Sequence, residues 1–261
     1  MSVLKKIFMI PKVIMKVKNW PTFTLDYLSL INHDTITYKM RNGLKFNARA
    51  HTTDRGIITA IAVLDEHGLN NIPLTKNSTI IDIGAQIGTF SIEAATRAGK
   101  VYSYEPEPEN YMLLSRNIEL NGMEGKIIPF RQIVWSQPLK KMSLNYADDN
   151  TGGHSAFTKK NKSTYQKNHS HRFEAPATTL ARILDNNKIK VCDLMKIDVE
   201  GSEYPILYNT PLNHLKRIKR LFVEYHPAPG KNNTKEGLVR FLTKNGYSIE
   251  SKEGYIFATR N

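Results

Sequence analysis

Cysteine is almost missing from this chain: Cys192 stands alone in 261 residues, inside an apolar run. No internal disulfide can form, and a reducing, cytoplasmic compartment is the default expectation. Long apolar runs are missing as well, since no stretch approaches the ~20 residues a membrane span needs. The N-terminal segment MSVLKKIFMIPKVIMKVKNWP opens like a signal peptide, with Lys5 and Lys6 before an apolar run. Pro11, Lys12, Lys16 and Lys18 interrupt that run and no small-residue cleavage site follows, so a signal peptide is not expected. Two readings stay open: a basic amphipathic segment making peripheral contact with anionic lipid, or a helix docked on the main domain. There is no internal repeat, no GxGxxG fingerprint and no glycine–lysine–serine end of a P-loop. These last two absences weigh against a dinucleotide-dependent oxidoreductase and a P-loop enzyme.

Positive charge, by contrast, is plentiful. Thirty-seven basic residues face 24 acidic ones, a formal net charge of +13. Such a balance suits an acidic partner, whether nucleic acid, anionic glycan or anionic membrane, although scattered lysines also simply solvate a surface. Hydrophobic content of 40% is enough for a core, and the length fits one large domain or a domain with an extension.

The most informative stretch is TIIDIGAQIGTFS, residues 79–91. Thr79 to Ile83 reads as a short buried β-branched strand. Gly84 and Gly88, with Ala85 and Gln86 between them, permit a tight turn and close approach of a ligand to the backbone. Phe90 to Arg97 reads as a helix whose first N–H groups face that turn. Val101 to Tyr104 is the next strand, and Glu105 closes it, 23 residues after Asp82. A carboxylate there can accept both hydroxyls of a ribose, at the spacing expected of a nucleotide-binding βαβ unit. Only two glycines and no pyrophosphate turn favour a nucleoside ligand without phosphates, such as S-adenosylmethionine (SAM).

Around this unit, residues 1–75 read as an α+β extension. It holds a hairpin (Thr35 to Tyr38 and Leu44 to Asn47) and a helix from Ile57 to Leu64 with Ile57, Ile61 and Leu64 on one face. Residues 76–261 alternate strands and helices. Asn110 to Asn121 is a helix, Lys126 to Val134 contains a third strand, and Ser143 to Tyr146 suggests another. A polar insert spans Ala147 to Arg172. Thr179 to Asn186 is a helix, Val191 to Asp198 and Arg220 to Tyr225 are buried strands, and Thr234 to Lys244 is a helix. A terminal hairpin pairs Tyr247 to Glu250 with Tyr255 to Thr259. Alternation of this kind predicts an open, mostly parallel α/β sheet.

Two strand ends carry unusual polarity: KIDVEGSE (196–203) and FVEYHP (222–227). Ligands of open α/β sheets sit beyond such carboxyl ends. If the strands are neighbours, Asp198, Glu200, Glu224 and His226 converge. Buried carboxylates so close together are costly unless they bind something. They can hold substrate hydroxyls, act as a general base, or ligate a hard cation such as Mg²⁺ through Asp198, Glu200 and Glu224. Glu203 reads as a helix-start acid, and Lys196 as a partner for one of the strand-end acids.

Taken in order, TIIDIGAQIGTF, YSYEPEPEN, RNIELNG, LMKIDVEGSEYPIL and FVEYHP resemble the FkbM-type family of SAM-dependent methyltransferases over roughly residues 50–260. The resemblance implies a seven-stranded, Rossmann-like class I methyltransferase fold of strand order 3-2-1-4-5-7-6, with the last strand antiparallel. It implies methyl transfer to a hydroxyl, often of a sugar or polyketide. It places Asp82, Gly84, Ala85 and Gly88 at the methionine part of SAM, and Glu105 and Asn110 at the ribose. Arg49 and Asp54, in NARAHTTDRG, correspond to an Arg…Asp pair before the core, on the substrate side with Glu200. Ala181 in TTLARIL, and Gln86 after Ala85, depart from the usual pattern. The expectation is therefore an O-methyltransferase acting on a hydroxyl-bearing small molecule or glycan. His226 is the expected base, and Glu224 or Asp198 orients it or the substrate. An RNA methyltransferase, using the basic stretch Lys159 to Arg172 with Phe157, Tyr165 and His171, is the competing enzyme. No Asn-Pro-Pro-Tyr-type motif supports it. A non-catalytic SAM-binding domain docking an acidic partner is the third reading.

Overall fold

The computed structural model describes residues 3–145, 153–156, 172–252 and 254–260. The polar insert expected at 147–172, with its basic stretch, lies outside the described residues apart from 153–156 and Arg172.

Helices α1 (Val3–Lys16) and α2 (Trp20–Tyr27) come first. Met9 and Val13 of α1, with Val17 one turn further, drop into a core that also holds Phe23 of α2. Strands β1 (Thr35–Lys39) and β2 (Lys45–Arg49) form the antiparallel hairpin that the Arg41-Asn42-Gly43 turn predicts. Next come α3 (Asp54–Ile58) and a π-helical turn, Thr59–Val63. That turn overturns the expected helical face. Leu64 N–H donates to Thr59 O at 2.9 Å, one residue further back than in an α-helix. The phase slips, so Ile58, Ile61 and Val63 are buried while Ile57 and Leu64 are only partly covered.

The nucleotide-type unit follows as β3 (Thr79–Ile83), α4 (Thr89–Ala95) and β4 (Lys100–Tyr104). Helix α5 (Pro108–Leu120) begins with Pro in its first turn and is capped by Glu107, whose carboxylate accepts from Asn110 N–H at 2.6 Å. The segment expected to hold one strand yields two, β5 (Ile127–Phe130) and β6 (Ile133–Val134). A strand not anticipated, β8 (Arg172–Thr178), runs between β6 and β7 (Leu139–Asn145) in a small side sheet. Then come α6 (Leu180–Asn186), β9 (Leu194–Ile197), α7 (Glu203–Tyr208), α8 (Leu212–Leu215), β10 (Arg220–Glu224), α9 (Lys235–Lys244), β11 (Tyr247–Lys252) and β12 (Tyr255–Arg260).

Among the described residues the main sheet has seven strands, in the order β11-β12-β10-β9-β3-β4-β5. Strands β5, β4, β3, β9 and β10 run parallel; β12 is antiparallel to both β10 and β11. Numbered along the chain within this sheet, the order from the β5 edge is 3-2-1-4-5-7-6, the class I methyltransferase order. Alternation along β3 sends Ile80 into the core beneath α4 and α5, which the N-terminal elements share. Ile81 and Ile83 enter a second core under α6, α7 and α9. Chain direction through the sheet reverses between β3 and β9, which opens a crevice beyond their carboxyl ends.

Gly84 makes that crevice possible. It has φ +79°, and a Cβ placed there would come 1.9 Å from the carbonyl oxygen of Asp198. Gly84→Ala is expected to cost at least about 2 kcal/mol, lowering the melting temperature by roughly 4–8 °C. An unchanged melting curve would show that the β3 turn and the end of β9 are not packed this tightly.

Candidate active site

Beyond β3, β4, β9 and β10 lies a cavity of about 370 Å³, the size of a small-molecule pocket. Along one wall runs the β3–α4 turn, through Gly84, Ala85 and Gln86, together with Glu105 and Asn110. Opposite are Asp198, Glu200, Glu224 and His226. The two sequence clusters thus share one cavity.

Glu105 is held from two sides. Its Oε2 accepts from the Gln86 N–H at 2.8 Å and its Oε1 from the Glu107 N–H at 3.0 Å. Asn110 Nδ2 makes a third, long contact to Oε1 at 3.5 Å. Of a carboxylate's roughly four acceptor positions one stays open, and the long amide contact can give way to a second ligand hydroxyl. Burial pushes its pKa up to about 7, against the pull of those two N–H groups. Nearby, Thr89 Oγ1 is buried without a hydrogen-bond partner among the described residues, and Thr89 borders the cavity. An orphaned hydroxyl and a glycine cradle both fit a polar ligand lying along the turn.

Asp82, Gly88, Arg49 and Asp54 do not reach the cavity wall. Asp82 is fully buried; its Oδ2 accepts from Ser91 Oγ at 2.6 Å and its Oδ1 lies 3.6 Å from Lys196 Nζ. Burial raises its pKa, which the Lys196 charge opposes. Gly88 (φ +90°) starts α4 where a Cβ would meet Leu114 Cδ1 at 2.5 Å. Arg49 and Asp54, expected on the substrate side, form a bidentate pair at 3.0 Å per contact, and Arg49 also donates to Asn110 Oδ1 at 2.5 Å. Asp54 is fully buried. Arg49 thus ties β2 to the start of α5, beside Glu105.

Lys196 pairs with the strand-end acids, as its sequence position suggested. Its Nζ donates to Gly84 O at 2.8 Å and lies 3.4 Å from Asp198 Oδ2. Burial alone would lower its pKa, but Asp198, Asp82 and Glu224 outweigh that and keep it an ammonium. His226 is fixed by Glu203, which the sequence had assigned only to a helix start. His226 Nδ1 meets Glu203 Oε1 at 2.8 Å, and that carboxylate is fully buried. The other ring nitrogen, Nε2, faces Glu224 at 3.8 Å and Glu200 at 3.9 Å. Burial lowers the imidazole pKa, yet Glu203, Glu200 and Asp198 raise it further, to about 9. Glu224 is pushed up to about 7, by burial first and then by Asp198.

A cation expected on Asp198, Glu200 and Glu224 meets a different arrangement. The donor atoms that cluster, within 4.8 Å of one another, belong to Asp198, Glu224 and His226. An imidazole in the set departs from the all-oxygen shell of Mg²⁺. Lys196 and the protonated His226 already place positive charge against these acids. The residues do not fit Mg²⁺.

Three further residues reach the cavity without any warning in the sequence. His67, between α3 and β3, packs its ring 4.3 Å from that of Phe222, and burial drives its pKa down to about 3. Tyr255 enters from β12. His154 comes from the insert, where Ser155 Oγ donates to Glu200 O at 2.7 Å.

The chain is similar to several known proteins. The model of the methyltransferase FkbM domain matches residues 82–249. Methyltransferase sdnD of Sordaria araneosa is 25% identical over 212 residues, 72% of this chain and 80% of the relative. The 31-O-demethyl-FK506 methyltransferase FkbM of Streptomyces tacrolimicus is 22% identical over 255 residues, 90% of this chain and 93% of the relative. Among solved structures, precorrin-6y C5,15-methyltransferase from Geobacter metallireducens GS-15 is 14% identical over 77% of this chain and 89% of that chain, with a TM-score of 0.45. The domain match spans well over half of the chain and contains the glycine turn, Glu105 and both acidic strand ends, so the protein belongs to the FkbM family of SAM-dependent methyltransferases.

Proposed function

We propose that this methyltransferase transfers the methyl group of SAM to a hydroxyl oxygen of a sugar, a glycan or another small molecule. The observation that carries this reading is that Glu105 and the strand-end acids open into one cavity. Gly84 and Ala85 border the methionine part, with Asp82 and Gly88 shaping the turn from behind. Glu105 accepts the ribose hydroxyls, and Asn110, braced by Arg49 and Asp54, sets the edge of that subsite.

When bound, SAM supplies a sulfonium methyl that is already a strong electrophile. The chain's task is to align the acceptor oxygen, exclude water and take a proton. We assign the proton to Glu224 and an orienting role to His226, reversing the expectation from sequence. The reason is geometric: Nδ1–H of His226 is directed at Glu203, and Nε2 faces two carboxylates that favour a proton there. His226 then carries a charge that holds Glu224 in place. As the acceptor oxygen bonds to the methyl carbon, the carbon–sulfur bond breaks, S-adenosylhomocysteine leaves, and the hydroxyl proton passes to a Glu224 oxygen. Asp198 and Glu200 accept hydrogen bonds from neighbouring acceptor hydroxyls.

The test is transfer of labelled methyl from SAM to a panel of free sugars, glycan extracts and tRNA, with and without excess EDTA. Alkali-stable label on a hydroxylated acceptor, unchanged by EDTA, is expected. Label in RNA alone would overturn the acceptor class, and loss of turnover in EDTA restored by Mn²⁺ would overturn the metal-free step.

A further inference from the structure

The N-terminal segment has an outer surface that the methyltransferase chemistry leaves unused. Seven of the eleven exposed large hydrophobic side chains among the described residues fall between residues 10 and 30. Ile10 (57% exposed) and Ile14 (39%) stand one helical turn apart on α1, beside the buried row of Met9, Val13 and Val17. Leu25 (46%) on α2 and Leu28 (56%), which caps its end, are exposed while Phe23 and Asp26 are buried, and Trp20 and Leu30 are exposed to either side. The docked face alone would have satisfied a helix that merely covers the domain. These residues are apolar on the outside as well.

Charge indicates what such a surface meets. Before Asp26 the chain has no acidic residue, but it has Lys5, Lys6, Lys12, Lys16 and Lys18, within a chain of net charge +13. Lys12, Lys16 and Lys18 are exposed beside the apolar side chains. Apolar side chains among lysines, with a tryptophan at the edge, are the composition of a segment that rests in the headgroup region of an anionic bilayer. No helix among the described residues is long and apolar enough to cross one.

We propose that α1 and α2 form a docking surface for an anionic lipid bilayer, which would bring the catalytic domain to a membrane-associated acceptor. The docking itself does not depend on which acceptor is methylated. The experiment is co-sedimentation of the full chain with phosphatidylcholine vesicles and with mixed phosphatidylcholine–phosphatidylglycerol vesicles. Binding is expected only to the mixed vesicles, falling steeply as salt is raised towards about 0.5 M. Lys12→Glu with Lys16→Glu should weaken it by more than about tenfold, since each surface lysine contributes roughly fivefold. Ile10→Ser with Leu28→Ser, both at exposed positions, should weaken it comparably while the circular-dichroism melting curve stays put. Equal binding to neutral vesicles or none to either kind would overturn the proposal. So would self-association of the chain through Ile10 and Leu28 in ultracentrifugation, or salt-sensitive binding to RNA in place of vesicles.

Discussion

Glu105→Ala is expected to weaken SAM binding by more than about a hundredfold. The carboxylate is buried and anchored by two backbone N–H groups, so its remaining acceptor positions are fixed before any ligand arrives. Hydrogen bonds from a ligand's hydroxyls to a charged acceptor contribute about 1.5–3 kcal/mol each. Losing two of them amounts to at least about 3 kcal/mol, a factor of more than 100. Calorimetry would read it directly. The same side chain predicts a pH dependence. Because burial holds the free protein's Glu105 near pKa 7, the carboxylate is protonated below that value, and a protonated acid accepts ribose hydroxyls poorly. Affinity should therefore be level above about pH 8 and fall by up to tenfold per unit below about pH 7. Glu105→Gln should bind weakly at every pH and lose this slope. Wild-type affinity in the alanine variant would move the ribose elsewhere in the cavity.

The second large effect belongs to Glu224. If it takes the acceptor's proton, Glu224→Gln should lower kcat by about 10²–10³, the usual contribution of a positioned base, with SAM affinity changed less than about threefold. The variant keeps the shape and removes only the ability to receive a proton. Turnover of the parent enzyme should rise with pH and level off above about 7, where Glu224 is ionised. His226 acts differently. Its charge lowers the pKa of Glu224, so His226→Asn should shift that acid limb to higher pH and cost turnover more modestly. A purely structural histidine would reduce activity without moving the profile. Retention of parental kcat by Glu224→Gln would return the base to another residue of the cavity, with Asp198 the next carboxylate there.

Both predictions combine local sequence with distant contacts, and the two contributions separate cleanly. The strand–turn–helix–strand from Thr79 to Tyr104 was legible because each part depends on near neighbours. A β-branched run prefers a strand, glycines permit the left-handed turn, and Glu105 follows at a spacing set by the length of one crossover. The terminal hairpin and the helix of Lys235–Lys244 were readable for the same reason. Strand β8 was not: its partners β6 and β7 supply the reason it is extended, and β7 lies across the insert from it. The π-helical turn at Thr59 also escaped, since an α-helical period over so few residues cannot reveal one extra residue in a turn.

By itself, then, the sequence determined that strand-end acids and a nucleoside-type turn exist in this protein, and in what order. Only the tertiary structure decided what those groups do. Register beside β3 set Lys196 between Asp82 and Asp198. Packing of α7 under the end of β10 gave His226 to Glu203, a contact that favours a proton on its ring. Closure of the N-terminal segment left Arg49 and Asp54 behind the cavity and brought His67 into it. An ionisable side chain takes its protonation state from its burial and from the charges opposite it. Those neighbours come from elements far apart along the chain, so no local pattern of residues can specify them.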